Sequence, residues 1–447
     1  MKKVITYGTY DLLHEGHINL LRRAKELGDY LIVGVTSDSF DRGRGKLNVQ
    51  NNVLERVEAV RKTGFADQII IEDYFGQKID DIQRYNVDVF AIGSDWTGQF
   101  DYLNEYCEVV YLPRTEGISS TMLREESTEV YRIGIVGTGR IANRFVPETK
   151  VVNGVNVTSV YNPHTKDVLQ FAKKYHLVAY HDDYSDFLKS VDAVYIASPH
   201  GSHYEYVKFA LQHGKHVLCE IPMTLSSQQS EELYDYAEEH DLVLLEASKT
   251  AFCPSFNHLV TMVKSGVIGD VMDIKSSLSK MVSAPSRELD YKQNGGAMNE
   301  HASLTLLPIV KILGKDYSSV DFHSKIVDGV DIYTKIVMNY PHATSSATLG
   351  IGVKTEGNLV ISGTKGYIYV PAPWWLTSFF EVRYEDQTKN KKYFYGFDGD
   401  GLRYEVQEFV SMIVNKRMSS YKLSRHESIT IAGIIEKFHN KENYFEL

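Results

Sequence analysis

Residues 131–145 read YRIGIVGTGRIANRF. The apolar run RIGIV stops at Gly137-Thr138-Gly139-Arg140-Ile141-Ala142, where a helical pattern begins. This is a GxGxxA turn between a strand and a helix, the context in which the pattern carries meaning. The first glycine permits a tight turn and the second lets a pyrophosphate approach the backbone; the small third residue lets helix and sheet pack closely. Gly137, Gly139, Arg140 and Ile141 are therefore the expected contacts for a dinucleotide cofactor. A carboxylate about twenty residues on would bind the ribose of NAD. The chain instead has Asn162-Pro163-His164 after the strand VTSVY, with Lys166 close by. Asn162 and His164 leave NADP at least as acceptable as NAD.

Towards the N-terminus, the same alternation has already run once. VITYG, YLIVGVT, QIII, DVFAIG and CEVVYL read as strands, with helices at about 16–27, 52–63 and 78–85. Strands alternating with helices call for a parallel sheet covered on both faces. The polar stretch EESTEV separates this series from the restart. Towards the C-terminus, VNVTSVYN, AVYIASP, HVLCEI and LVLLEAS extend the second parallel sheet. Beyond Pro254 the segments lengthen and alternate, as in VMDIKSSLSKMV, YTKIVMNY and ATSSATLGIG. They predict a large, mostly antiparallel sheet, closed by a helix over LRYEVQEFVSMIVN. The fold class is α/β: two Rossmann-like parallel sheets, then an α+β domain. The expected domains are 1–126, 131–254 and 255–447.

The 447 residues fit that division at roughly 100–200 residues per domain. With 43% apolar and 24% charged residues, the chain can bury sizeable cores. Its 58 acidic and 48 basic residues give a net charge of −10. That excludes a nucleic-acid partner held on a broad basic face, but not a local cationic pocket for a phosphorylated small molecule. Cys107, Cys219 and Cys253 are too few and scattered for a disulfide framework or a zinc site, so a reducing, cytoplasmic setting is expected. No run of eighteen apolar residues is present, so no membrane span is expected.

The first series carries HEGH, His14–His17, just after its first strand and at a helix start. Gly16 admits a ligand close to the backbone, and the helix N-terminus offers N–H groups to phosphates. Two imidazoles three residues apart can share one helical face and donate to phosphoryl oxygens. Phosphoryl chemistry needs mainly such positioning and charge stabilisation. Further on, Arg114-Thr115-Glu116-Gly117-Ile118-Ser119-Ser120-Thr121 again follows a strand and opens a helix. An ordinary capped helix accounts for the hydroxyls but leaves Arg114, a bidentate phosphate ligand by type, unexplained.

Residues 1 to about 126 resemble the glycerol-3-phosphate cytidylyltransferase type of nucleotidyltransferase, through YGTYDLLHEGH, GDYLIVGVTSD, DVFAIGSDW and VVYLPRTEGISST. The resemblance implies attack of a substrate phosphate on the α-phosphorus of CTP, with pyrophosphate leaving and Mg2+ assisting. On that basis His14 and His17 stabilise the transition state, while Arg114, Ser119, Ser120 and Thr121 grip the triphosphate. Thr9 and Asp11 lie beside the nucleotide or its metal, and Lys46 and Arg56 fall where the family places cationic phosphate contacts. Asp95 and Trp96 belong to a segment near the nucleotide. HxGH also occurs in class I aminoacyl-tRNA synthetases; the missing KMSKS-like loop, the small module and the acidic charge set that reading aside.

Residues 131–447 resemble the Gfo/Idh/MocA oxidoreductases, through YIASPHGSHYEYVKFALQHGKHVLCE, PMTLS, LVLLEASKTAFCPSF and VKSGVIGD. This implies a Rossmann half, a sheet that carries substrate, and homo-oligomers formed through that sheet. Ser198, His200 and His203 would line the nicotinamide pocket, with Glu220 beside them. Two departures stand out. The usual E-K-P reads Glu220-Ile221-Pro222, so the family's catalytic lysine is missing. The later acid-and-histidine pattern reads Gly295-Gly296-Ala297-Met298-Asn299-Glu300-His301-Ala302-Ser303-Leu304, with Leu304 in the histidine position. An isoleucine cannot deliver a proton to a forming alkoxide. Lys249, just beyond LVLLEAS, is the first substitute acid, followed by Glu300 and His301.

The combined expectation is a bifunctional enzyme. One half couples CTP to a small polyol or ketose phosphate, and the other performs NAD(P)-dependent reduction or oxidation of a related group, supplying a CDP-polyol to surface polysaccharide. The competing expectation is a cytidylyltransferase fused to a catalytically silent dinucleotide-binding scaffold.

Overall fold

The computed structural model describes residues 1–43, 46, 49, 51–74, 76–113, 130–396 and 399–447. The chain divides between Val130 and Tyr131, short pieces aside, into two compact units.

The first unit is a parallel sheet of β1 (Lys3–Gly8), β2 (Tyr30–Thr36), β3 (Gln68–Glu72), β4 (Val89–Gly93) and β5 (Glu108–Leu112), ordered β3-β2-β1-β4-β5. β2 is buried almost throughout because helices cover both faces. One core gathers Val4, Leu21, Leu31, Val33 and Val60; the other gathers Ile5, Tyr7, Ile32, Ile82 and Phe90. Helix Val53–Lys62 starts at a capping box formed by Asn52 and Glu55. Strand order reverses between β1 and β4, and the carboxyl ends at such a switch point are where ligands bind.

The second unit opens with another parallel sheet: β6 (Tyr131–Val136), β7 (Val155–Tyr161), β8 (Ala179–His181), β9 (Ala193–Ile196), β10 (His216–Glu220) and β11 (Leu244–Ala247), ordered β11-β10-β9-β6-β7-β8. Its switch point lies between β6 and β9. A nine-stranded sheet follows, made of β12 (Val271–Ser279), β13 (Ser319–Val327), β14 (Val330–Asn339), β15 (Thr344–Gly350), β16 (Leu359–Gly363), β17 (Tyr367–Val370), β18 (Phe379–Arg383), β19 (Lys391–Phe394) and β20 (Tyr444–Glu446). It is mostly antiparallel as expected, with parallel pairing only of β12 with β15 and of β13 with β20. Both sheets belong to one compact unit, whereas the sequence suggests a division at 254. The helix Leu402–Val414 explains the union, because Arg403 reaches back to Glu148 on helix Arg140–Thr149 with bonds of 2.6 and 3.1 Å.

The helix Ala297–Leu313 escapes a periodicity reading because it is apolar nearly all round. It lies on β12, β14 and β15. Gly296 precedes it with φ 122°, and a Cβ there would meet Asp331 Oδ1 at 2.2 Å. Asp331 accepts the Met298 N–H at 2.9 Å and so caps the helix. Burial raises this carboxyl to about 7. Among the described residues no helix is long and apolar enough to cross a membrane.

Candidate active sites

In the first unit, β1 ends at Gly8, where a Cβ would sit 2.9 Å from the Tyr10 ring. The chain then passes through Tyr10 (φ 54°) and Leu12 (φ 46°), left-handed conformations that side-chain-bearing residues avoid. Such strain persists only where the surroundings enforce it, typically at functional loops. The turn delivers His14 to the N-cap of helix Glu15–Lys25, where Nδ1 accepts the Gly16 N–H at 3.1 Å. Nε2 therefore carries the ring proton and can donate it. His17 stacks on His14 with ring centroids 4.0 Å apart, and its other neighbour is the Tyr10 ring.

Around this pair, Thr9 Oγ1 donates to Asp41 at 3.1 Å and accepts from Lys46 Nζ at 2.8 Å. Asp11 is buried and accepts the Asn51 N–H at 2.9 Å. Arg56 differs from the sequence expectation of a phosphate contact. Its side chain is buried; it donates to the carbonyls of Thr9 (2.7 Å), Thr36 (2.9 Å) and Asn51 (2.9 Å) and to Asp38 and Asp41. A buried guanidinium must be matched this fully, and here it braces Thr9 and Asp41. Asp95 and Trp96 stand exposed on the turn Ser94–Trp96 after β4. Arg114, Ser119, Ser120 and Thr121 lie outside the described residues.

Sequence reading missed a second polar group at the same sheet edge. Glu72, buried as the last residue of β3, pairs with Lys78, whose Nζ lies 4.7 Å over the Tyr7 ring. Tyr7 donates to Asp81 at 2.8 Å. Burial, then the Asp81 carboxylate, pushes the Tyr7 phenol far above its usual range. The available signal was an acid closing an otherwise apolar strand.

In the second unit, Gly137 has φ 102°, and a Cβ there would lie 2.7 Å from the Ala197 carbonyl oxygen. At Gly139 a Cβ would meet nothing within 4 Å, so the N-terminus of helix Arg140–Thr149 faces open space. A cleft of about 930 Å³ extends from this turn, past Asn162 and His164 on one side and Ser198, His200 and Glu220 on the other, to Arg287 and Glu300. The cradle and the cleft fit a dinucleotide. Asn162 holds the ribose-side loop by donating to Thr138 Oγ1 and accepting the His164 N–H, both at 2.9 Å.

His203 lines the cleft but is fully buried, its ring nitrogens 2.9 Å from the Pro222 carbonyl and 2.7 Å from that of Ser198. That geometry makes it a pin between two loops. His200 Nδ1 lies 3.8 Å from Glu300, whose carboxylate accepts from Arg287 at 2.8 Å. Burial pulls the His200 imidazole down to about 3, so it is neutral at ordinary pH. Burial raises Glu300, against the pull of Arg287. Arg140 and Lys280 face Glu288 at 3.4 and 3.1 Å, so this end of the cleft is lined by ion pairs.

The substitutes for the missing lysine separate. Ile221 and Glu300 line the cleft, whereas Lys249 and His301 do not. Lys249 opens the short helix Lys249–Phe252 beyond β11, and its charge acts on Glu220 and on buried Glu405. It is therefore placed to influence a proton donor rather than to touch substrate. His301, held down to about 4 by burial, follows Glu300 on the helix.

Residues 5–126 match the cytidylyltransferase-like family, and residues 131–248 match the Gfo/Idh/MocA oxidoreductase family with its NAD-binding Rossmann fold. The chain is 51% identical over 128 residues to glycerol-3-phosphate cytidylyltransferase of Staphylococcus aureus, covering 28% of this chain and 95% of that protein. It is 28% identical over 330 residues to the scyllo-inositol 2-dehydrogenase (NADP(+)) of Bacillus subtilis, covering 68% of this chain and 95% of that one. A 3-ketoreductase from Actinomadura kijaniata, solved with NADP and TDP-benzene, shares the fold at TM-score 0.64 and 19% identity, over 71% of this chain and 99% of its own.

Proposed function

The chain belongs to the cytidylyltransferase-like family in its first part and to the Gfo/Idh/MocA oxidoreductases from Tyr131, and on that premise we propose a bifunctional enzyme that makes a CDP-activated polyol. In the first unit the phosphate of a small polyol or ketose phosphate attacks the α-phosphorus of CTP. His14 and His17 donate to the charge that develops, and Lys46 lies beside Thr9 to meet phosphate oxygens. Arg114, Ser119, Ser120 and Thr121 hold the triphosphate. Among the described residues no cluster of three His, Cys, Asp or Glu side chains stands ready for a metal. Mg2+ therefore arrives with the triphosphate, with Asp11 as its nearest protein partner.

In the second unit a dinucleotide bound along Gly137, Gly139 and Arg140 supplies or accepts hydride. The chain's own residues position a carbonyl or hydroxyl between His200, Glu300 and Arg287. Without a carboxylate at Asn162, NADP is accepted at least as well as NAD. Arg140, Lys280 and Arg287, each paired with an acid at this end of the cleft, are the cations a phosphate on the substrate would meet, as the first unit's acceptor or product carries one. Surface polysaccharide is the natural consumer of such a product, the setting is cytoplasmic, and the broad sheet carries a homo-oligomer contact.

The observation that bears most weight is the stacked His14–His17 pair at a helix N-terminus behind a strained turn. The second reading, a silent scaffold, is favoured by Ile221 and Leu304 at the two missing positions. Both readings are tested by incubating the full chain with CTP, Mg2+, NADPH and a panel of glycerol, dihydroxyacetone, tetrulose, pentulose and hexulose phosphates. Pyrophosphate and NADPH are followed together. NADPH oxidation that appears only after cytidylylation sets the order; no oxidation with any member supports the scaffold.

A further inference from the structure

In and beneath the cleft of the second unit lies a group of acids, of which Glu220 is the acid of the E-K-P pattern and the others stand outside that pattern. Glu220 ends β10 and lines the cleft beside Ile221, and the Tyr195 phenol on β9 donates to its carboxyl. Behind it, Glu405 on helix Leu402–Val414 is fully buried, and neither of its oxygens has a hydrogen-bond partner. Glu246 on β11 is buried too and accepts the Met223 N–H at 3.0 Å. Glu148, which also faces Glu405, is matched by Arg403 and offers no spare positive charge. Among the described residues the cation that acts on both Glu220 and Glu405 is Lys249. The thiols Cys219 and Cys253 and the Tyr234 phenol also face this set.

The charge balance decides the state of the group. Fully buried Glu405 and half-buried Glu220, facing one ammonium, cannot both ionise without leaving an unmatched charge against a low-dielectric interior. At least one proton is therefore held by Glu220 and Glu405 together. We propose that Glu220 is the catalytic acid and base of the oxidoreductase unit, in place of the lysine missing at Ile221, with Glu405 and Lys249 as positioning residues that keep a proton available to it. This rests on the redox reading above.

In reduction, Glu220 passes its carboxyl proton to the substrate carbonyl oxygen as the carbonyl carbon gains hydride from the reduced dinucleotide. The C=O π bond is replaced by C–H and O–H bonds. The carboxylate that remains is met by the charge of Lys249 and the Tyr195 hydroxyl, then takes a proton back from Glu405 or from cleft water. Oxidation runs the same transfers in reverse. Burial, opposed by the Tyr195 hydrogen bond and by Lys249, lifts Glu220 to about 7, where an acid–base group is most effective.

Infrared titration of the full chain, with and without NADP+, reads the protonated-carboxyl stretch independently of turnover. The wild type should show, besides Asp331, a second carboxyl titrating near neutrality that Glu220→Gln removes. Glu246→Gln should move it to lower pH because a like charge beside it is gone. The kcat for NADPH oxidation by the panel, read at saturating NADPH, should fall about 10²-fold or more in Glu220→Gln, with NADP+ binding measured separately to show that the unit is folded. A wild type with no such titration, or a Glu220→Gln variant that keeps it, overturns the proposal. So does Glu220→Gln turning over substrate at the wild-type rate, which leaves the redox reading standing. A wild type that turns over no member of the panel overturns the redox reading itself, and the catalytic role with it.

Discussion

The two sites handle phosphate-bearing ligands with opposite economies of sequence. In the first unit, the proposed histidine pair and its nearest groups share one short turn: Thr9, Asp11, His14 and His17 come from one strand end and the helix after it, while Lys46 and the proposed triphosphate contacts come from later in the chain. In the second, the groups around the cleft come from β6, β9, β10, the segment after β12 and the first turn of Ala297–Leu313. A site built on one local turn keeps its residues together or loses them together. A site assembled from separate strands can lose a lysine and a histidine and still gather an acid–base set from other elements. Ile221 lines the cleft where the family's lysine would stand, and Glu220 and Glu300 line it too, the acids from which the proposed set is drawn.

The largest effect should come from the compact site. His17→Ala removes one of two stacked donors and should lower cytidylyl transfer by about 10²–10³-fold, with NADP+ binding unchanged; loss of both would show that the units do not act separately. A smaller effect tests the dispersed site. Lys249→Met removes the charge that favours the ionised form of Glu220, so the pKa of Glu220 should rise from about 7 by roughly one unit or more. Because reduction needs the protonated form, its pH profile should extend to higher pH, whereas complete loss of turnover would make Lys249 the acid itself. The smallest change is expected at the ribose end. Asn162→Asp supplies the carboxylate that NAD-binding folds use and repels a 2′-phosphate. It should move the ratio of kcat/KM for NADPH over NADH downward by about tenfold, roughly 1.4 kcal/mol; no change would place the ribose away from this loop.

Much of the fold is legible because its signals are local. The GxGxxA turn, the alternation of strands and helices, and the change to longer alternating segments after Pro254 all reappear as observed elements. Ala297–Leu313 is not legible, since a helix buried all round has no periodic polar face to show. Arg56 is misread for a related reason. An arginine near phosphate-binding residues reads as a phosphate ligand, and only the burial of its guanidinium against Thr9, Thr36, Asn51, Asp38 and Asp41 turns it into a brace. Lys249 is found by its position at a strand end, yet the direction of its charge, towards Glu220 and Glu405, is invisible in the chain.

The sequence by itself determined two nucleotide-binding starts, their order and the loss of the usual lysine, because each is written in contiguous residues whose backbone conformation depends on near neighbours. Only the tertiary structure decided which distant carboxyls face one cation. Glu220 and Glu405 are far apart in the chain, and the protonation of either depends on the water that folding removes and on the charge that folding brings near.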